Sequence, residues 1–249
     1  MKKEYYQEYY TIERNHWWFR VRAEMLMQKA AILMSGNEQP KILNIGAATG
    51  HSSQLLNKLG TVKSVEFDKD CFEFTKNLPD IDIVNASITS LPFPDACFDL
   101  VCAFDVIEHV KDDELAWNEM YRVCKPGGKI MLTVPAFMFL WSEHDIINHH
   151  ERRYVKKQLL NVAAKGNTLY CSYFNTILFL PIAAFRMLKN LFFGKPLAEN
   201  AKSDFSGSGN RLADKILYSI FSLEKPLIKA ERSLPFGLSL ILVKEKPAY

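Results

Sequence analysis

Residues 41–50, Lys41-Ile42-Leu43-Asn44-Ile45-Gly46-Ala47-Ala48-Thr49-Gly50, decide how the rest of the chain is read. Ile42, Leu43 and Ile45 form a short apolar run that predicts a buried strand. Gly46 to Gly50 predicts a turn in which backbone can come close to a ligand. His51 to Leu59 follows as a predicted helix with Leu55, Leu56 and Leu59 on one side. Strand, glycine turn and helix in that order make the first half of a nucleotide-binding βαβ unit. Taken alone, the same stretch also fits a tight structural turn.

The interval to the next acid favours a ligand. Val62 to Phe67 reads as a second strand, and Glu66 near its end lies twenty residues beyond Gly46. Nucleotide folds place a ribose-binding acid at about that distance. A carboxylate accepts from both hydroxyls of a vicinal diol. The competing reading of Glu66 is an edge acid in a solvated turn. Downstream, Asp70 to Lys76 reads as a short helix, Ile81 to Ala86 as a third strand and Phe98 to Ala103 as a near-continuous apolar fourth strand. Asp112 to Val123 reads as an amphipathic helix with acids in its first turn, and Lys129 to Val134 as a fifth strand after the Lys125-Pro126-Gly127-Gly128 stop. The alternation predicts an α/β fold with a doubly wound, mostly parallel sheet.

The flanks differ from this core. Residues 1–40 predict a helical preface carrying Tyr5, Tyr6, Tyr9, Tyr10 and the run His16-Trp17-Trp18-Phe19-Arg20. It is read either as a segment pinned onto the core or as a lid with Arg20 or Arg22 reaching an anionic group. Residues 41–175 form the expected core, with an insertion at 135–166 that holds three of the six histidines within seven residues. Residues 176–235 form a helical insertion that includes a polar loop from Leu197 to Asn210, and 236–249 supply a last strand and tail.

Composition narrows the classes. In 249 residues, 48% are hydrophobic, enough for a full core, and the net charge of +3 gives no basis for a nucleic-acid partner. Cys71, Cys97, Cys102, Cys124 and Cys171 show no CxxC spacing, which predicts free thiols in a reducing, cytoplasmic setting. The first ten residues, MKKEYYQEYY, lack the apolar core of a signal peptide. The stretch 176–193 is too short and too interrupted to span a bilayer. It is read as a core-facing helix, a homodimer contact or a helix lying on a membrane surface, with Phe179, Leu180, Phe185, Leu191, Phe192 and Phe193 inward and Arg186, Lys189 and Lys195 at headgroup level.

The order ILNIGAATG, VEFD, SLPFPDACFDLVCAFDVIEHV and EMYRVCKPGGKIMLTVP, from Lys41 to Pro135, resembles the class I S-adenosylmethionine-dependent methyltransferases, nearest the branch of ubiquinone and small-molecule enzymes (methyltransferase type 11-like). HWWFRVR, the His150 to Tyr154 run and SLPFGLSL resemble a bacterial subgroup met among surface-polysaccharide and lipid genes. The resemblance implies a Rossmann-like seven-stranded sheet and S-adenosyl-L-methionine as cofactor. It implies that Gly46, Ala48 and Gly50 border the methionine part, with Asn44 also near the cationic cofactor. Glu66 would hold the ribose, and Phe67, Ser87 and Ile88 the adenine. Phe104, Asp105 and Val106 would line the same crevice, with Glu108 and His109 just beyond. Three positions depart from the family: Asn44 and Ser87 replace acids, and Ala48 replaces a glycine and is expected to hold φ below zero. These departures motivate the alternative of a weak or inactive methyltransferase-fold binding or regulatory protein.

Methyl transfer needs alignment more than acid–base chemistry, so a base is needed only for a protonated nucleophile. The candidates are His144, His149 and Tyr154, with His150 beside them. Trp18, Arg20, Trp141, His150, Arg152 and Arg153 are the expected acceptor-side residues, the arginines suiting a phosphate or carboxylate. The competing reading of these groups is structural: hydrogen-bonded histidines and a solvated basic turn. His144, Asp145, His149 and Glu151 match no metal-binding spacing, and no metal is expected. The sequence thus predicts methyl transfer to a small or lipid-like acceptor, most simply at oxygen.

Overall fold

The computed structural model describes residues 3–193 and 211–248, so the expected polar loop at 197–210 and Lys195 lie outside the described residues. Seven strands make one sheet: β1 (Lys41–Ile45), β2 (Thr61–Glu66), β3 (Ile83–Asn85), β4 (Phe98–Phe104), β5 (Cys124–Pro135), β6 (Asn167–Phe174) and β7 (Ser239–Glu245). Their order is β3-β2-β1-β4-β5-β7-β6. All pairings among β1 to β5 are parallel, and β7 runs antiparallel to both β5 and β6. The order reverses between β1 and β4, so their C-terminal ends part and leave a crevice.

Alternation along the strands sorts side chains to two cores. Leu43, Val101, Ala103, Ile130 and Leu132 face one side, covered by α5 (Asp113–Val123) and α7 (Lys156–Val162) through Trp117, Met120 and Leu159. Ile42, Leu100, Cys102, Met131 and Ile241 face the other. That face is covered by α2 (Trp17–Leu33) through Val21, Met25 and Ala30, by α3 (His51–Leu56), and by α9 (Arg211–Ser222) and α10 (Lys225–Lys229) through Phe221 and Ile228. The second half of the preface is therefore a structural layer on the sheet. Its first half, α1 (Lys3–Asn15), is separated from α2 at His16, whose side chain accepts from the Trp18 N–H as an N-cap. α4 (Lys69–Thr75) follows β2, capped by Asp68.

Within the helical insertion, α9 and α10 are separate helices, with Pro226 entering the first turn of α10. One local expectation is corrected. The Lys125-Pro126-Gly127-Gly128 stop belongs to β5, where a register shift opposite Phe98 and Leu100 absorbs it. The short η1 turn (Ile107–His109) follows β4, and η2 (Met138–Leu140) and α6 (Glu143–Ile147) follow β5. α8 (Phe179–Phe193) leaves Leu180, Phe185, Met187, Leu188 and Phe192 exposed. Of its cations, Arg186 donates to the Leu140 carbonyl at 2.9 Å, and Lys189, exposed, pairs with Glu143 at 2.8 Å. Among the described residues no helix is long and apolar enough to cross a membrane. The five cysteines are free thiols.

Candidate active site

A cavity of about 1520 Å³ opens at the C-terminal ends of β1, β2 and β4. Single-ligand pockets run to roughly 1,000 Å³, so this one has room for a cofactor and an acceptor together. One end is built on the glycine turn. The N–H groups of Gly46 and Ala47 donate to the Val65 carbonyl at 2.9 and 3.0 Å, folding the turn back over β2. Gly46 has φ +71°, and a Cβ there would stand 2.4 Å from Val106 Cγ2. Only glycine lets this backbone reach the wall made by the β4 end. Ala48 has φ +46°, which corrects the expectation of a negative angle. The left-handed bend aims its N–H at the Glu66 carboxylate, 2.9 Å away, and that bond sets the conformation.

Glu66 also accepts from the Asp68 N–H at 2.9 Å. Burial raises its carboxyl above the usual range, while these backbone donors pull it down. Phe67, 76% exposed, presents its ring in the cavity, with Ser87 and Ile88 lining the same region. Ser87 is turned into a local motif, its Oγ accepting from the Thr89 N–H at 3.2 Å. Helix α1 lies over this end. The Tyr6 hydroxyl donates to Asp68 at 2.8 Å, the Thr49 hydroxyl donates to Glu13, and Arg14 reaches the Thr49 carbonyl at 3.3 Å and Gln54 at 2.7 Å. Burial pushes the Glu13 carboxyl up to about 7, against the opposing pull of Thr49, Arg14 and Arg22.

The middle of the cavity is bridged from α2. Arg22 donates to Asp105 at 2.7 Å and to Thr133 at 2.8 Å, and the Thr133 hydroxyl donates to Asp105 at 2.9 Å. Phe104, Asp105, Val106 and Trp18 line this part. The far end holds Glu108, His109 and His150. Burial drives the Glu108 carboxyl well above its ordinary range, reinforced by the Asp105 charge. Burial likewise lowers His109 to about 4, helped by the neighbouring His150. His150 Nδ1 lies 2.8 Å from Asp145, whose buried carboxylate also takes two 2.8 Å bonds from Arg153 and one of 2.7 Å from the Ser142 N–H. Burial alone would raise Asp145; the hydrogen bond from His150 and the Arg153 charge hold it well below the carboxylate range.

Several sequence-selected residues fall elsewhere. Asn44 is buried behind the turn, its amide donating to Ser52 at 2.9 Å and Ser53 at 2.8 Å, and it does not line the cavity. Gly50 shapes the turn from behind with φ +82°. Tyr154 is a structural group rather than a base, since its buried hydroxyl donates to Asp113 at 2.7 Å. Arg152 pairs with the same Asp113 at 2.7 Å. Arg153 lines the cavity but is committed to Asp145, which removes it as a free anion clamp. Arg20 turns away, its guanidinium 4.9 Å over the Tyr218 ring, so Arg22 is the preface arginine that reaches inward. Trp141 lies outside the lining, while His144 and His149 line the mouth, His149 exposed with φ +55°. Sequence reasoning gave Glu13 no role and left Asp145 only in a rejected metal set. The spacing of Tyr6, Tyr9 and Glu13 at i, i+3 and i+7 marks one helix face and could have found Glu13.

A model of the methyltransferase domain family matches residues 43–132. The chain is 29% identical over 126 residues to a "Probable S-adenosylmethionine-dependent methyltransferase" of Mycolicibacterium smegmatis, covering 50% of this chain and 48% of that one. It is 35% identical over 94 residues to the demethylmenaquinone methyltransferase of Renibacterium salmoninarum, covering 37% and 40%. The chain thus spans less than half the length of these relatives. A solved phosphoethanolamine N-methyltransferase 2 of Haemonchus contortus, in complex with S-adenosyl-L-methionine, is similar in fold, with a TM-score of 0.53 at 17% identity over 95% of this chain and 59% of that one. The matched segment runs from β1 into β5 and carries both the glycine turn and Glu66. Over this segment the chain is similar to the methyltransferase domain family and to relatives named as S-adenosylmethionine-dependent methyltransferases.

Proposed function

We propose that the chain transfers a methyl group from S-adenosylmethionine to a small, apolar or lipid-like acceptor, at an oxygen. The observation that carries this reading is one continuous cavity with a glycine turn and a diol-suited acid at one end and a buried polar cluster at the other. The residues present fit the cofactor. Gly46 gives backbone access that a Cβ would close, Glu66 keeps acceptor capacity beyond its two backbone donors, and Phe67 offers an unstacked ring. Glu66 would take the ribose hydroxyls, Phe67 and Ile88 would flank the adenine, and Ser87 would meet its edge. Glu13 on α1 would face the ammonium group. The ammonium would draw the proton from Glu13 and so give this end the negative charge that Asn44, turned away from the cavity, does not supply.

When bound, the cofactor supplies an electrophilic methyl group on a sulfonium, so the chain's part is alignment and exclusion of water. Helix α1 and the aromatic residues of α2 roof the cavity and would keep the transfer dry. Ile182, Phe185 and Leu217 line it toward α8 and α9, which suits an acceptor with an apolar tail. Of the family departures, only Ser87 both lines the cavity and replaces an acid side chain, so the inactive alternative rests on one lost hydrogen bond. Such a loss costs roughly 1.5–3 kcal/mol before water recovers part of it, which leaves a site of many contacts working.

Calorimetric titration with S-adenosylmethionine and S-adenosylhomocysteine tests the cofactor. Transfer of a labelled methyl group to lipid extracts, phenols and quinols then tests the acceptor. No binding at millimolar ligand overturns the reading. A carbon-methylated product keeps the transfer and overturns the choice of oxygen.

A further inference from the structure

The far end of the cavity holds an arrangement that alignment alone does not require. Glu108 and His109 lie in the turn after β4, and the segment after β5 folds back on them, the Glu151 N–H donating to the Glu108 carbonyl at 2.7 Å. The rings of His109 and His150 meet edge to face with centroids 4.6 Å apart. One donor atom each from Glu108, His109 and His150 lies within 4.8 Å of the other two. Glu108 is fully buried, and neither carboxylate oxygen has a hydrogen-bond partner. The two nearby arginines are committed elsewhere, Arg22 to Asp105 and Arg153 to Asp145. A buried carboxylate without donors is strongly disfavoured, and protonation would remove its charge without giving either oxygen a partner.

The histidines are oriented as metal ligands are. His150 Nδ1 bonds Asp145 at 2.8 Å, which leaves Nε2 to face the cluster, and Asp145 is itself fixed by Arg153 and Ser142. His109 lies near the Asn148 backbone carbonyl, which favours a proton on the ring nitrogen that faces it and leaves the other nitrogen for the cluster. A carboxylate or carbonyl behind each ligating imidazole is the usual outer support of a metal site.

We propose that Glu108, His109 and His150 bind one divalent transition-metal ion. Two imidazole nitrogens and one carboxylate oxygen suit zinc, cobalt or manganese better than magnesium or calcium, which take oxygen ligands. Metal–ligand bonds of about 2.0–2.2 Å set ligand atoms roughly 3.4 Å apart. Small side-chain rotations therefore close the site. Three protein ligands leave positions open, as in catalytic rather than structural sites. Resting on the functional reading above, an open position takes an oxygen of the acceptor and holds the nucleophile; binding of the ion itself does not depend on that reading.

The test uses the full chain, stripped with a chelator and dialysed against Co²⁺ alone or Zn²⁺ alone at about 100 μM free ion. The expected result is one ion per chain, a visible cobalt absorption band that zinc abolishes, and a higher melting temperature with either ion. Glu108→Gln and His150→Ala should each weaken the ion at least tenfold. Metal-free Glu108→Gln should melt no lower than metal-free wild type, because it puts a neutral group of the same shape where the buried carboxyl has no hydrogen-bond partner to lose; this separates ligand loss from misfolding. Substoichiometric binding of both ions, or binding unchanged in both variants, overturns the proposal. Cofactor titration of the same samples separates the two readings: an ion bound without cofactor retains the metal site and removes methyl transfer, and the converse removes the metal site alone.

Discussion

Replacing Glu66 by alanine should weaken S-adenosylmethionine by roughly 30- to 150-fold. The magnitude follows from the hydrogen-bond inventory of one side chain. An ionised carboxylate has about four acceptor positions. In Glu66 one oxygen is used by the Ala48 N–H and the other by the Asp68 N–H, each at 2.9 Å. One position per oxygen remains, the right number for the two hydroxyls of a ribose. Hydrogen bonds to a charged group contribute about 1.5–3 kcal/mol each, and water entering the alanine variant recovers part of that. A net loss of about 2–3 kcal/mol corresponds to the stated range at about 1.4 kcal/mol per tenfold. Glu66→Gln keeps the volume but turns its amide N–H toward one of the two backbone donors, so an intermediate loss of about tenfold is expected. Isothermal titration calorimetry with S-adenosylhomocysteine measures both, and thermal melts establish that the variants remain folded. A dissociation constant within threefold of wild type in a folded Glu66→Ala protein would refute the assignment of the ribose to this acid.

Three further outcomes follow from the same geometry. Ala48→Gly should stabilise the fold by about 1 kcal/mol, measured by urea unfolding, because it relieves a left-handed residue while loosening the unfolded chain. Glu13, raised from 4.5 to about 7, keeps its proton in the folded protein over a range where the unfolded chain has lost it. The folded state therefore binds more protons, and stability should fall as pH rises from about 4.5 to 7, by at most about 3 kcal/mol. Glu13→Gln should flatten that slope and be the more stable protein at about pH 8, and identical unfolding profiles for the two proteins would contradict it. Asp145→Asn leaves the buried Arg153 guanidinium without its charge partner and should cost about 3–5 kcal/mol. The double change Asp145→Leu, Arg153→Met should cost less than the single one, as chemical denaturation would show.

Strands were legible where both faces are covered. Phe98 to Ala103 has no polar interruption apart from Asp99, and it is the central strand next to the crevice. The Gly46 to Glu66 interval was legible because it reflects the length of one βαβ turn, and the structure joins both ends through the Ala48 N–H. Partner choice was not legible. Tyr154 and Arg153 look alike in sequence to residues that serve chemistry, yet Asp113 and Asp145, 41 and 8 residues away, claim them. His150 differs from His149 only by pointing inward: a left-handed His149 swings its side chain to the rim and brings the next ring onto Asp145. The φ of Ala48 was misjudged for a related reason, since the demand on it comes from Glu66 across the turn.

The most direct measurement is a crystal structure of the chain grown with S-adenosylhomocysteine. Our account predicts the ribose hydroxyls on the Glu66 carboxylate, the adenine against Phe67 and the sulfur directed toward Glu108, His109 and His150. An empty crevice at saturating ligand, or a nucleoside bound away from Glu66, would contradict it.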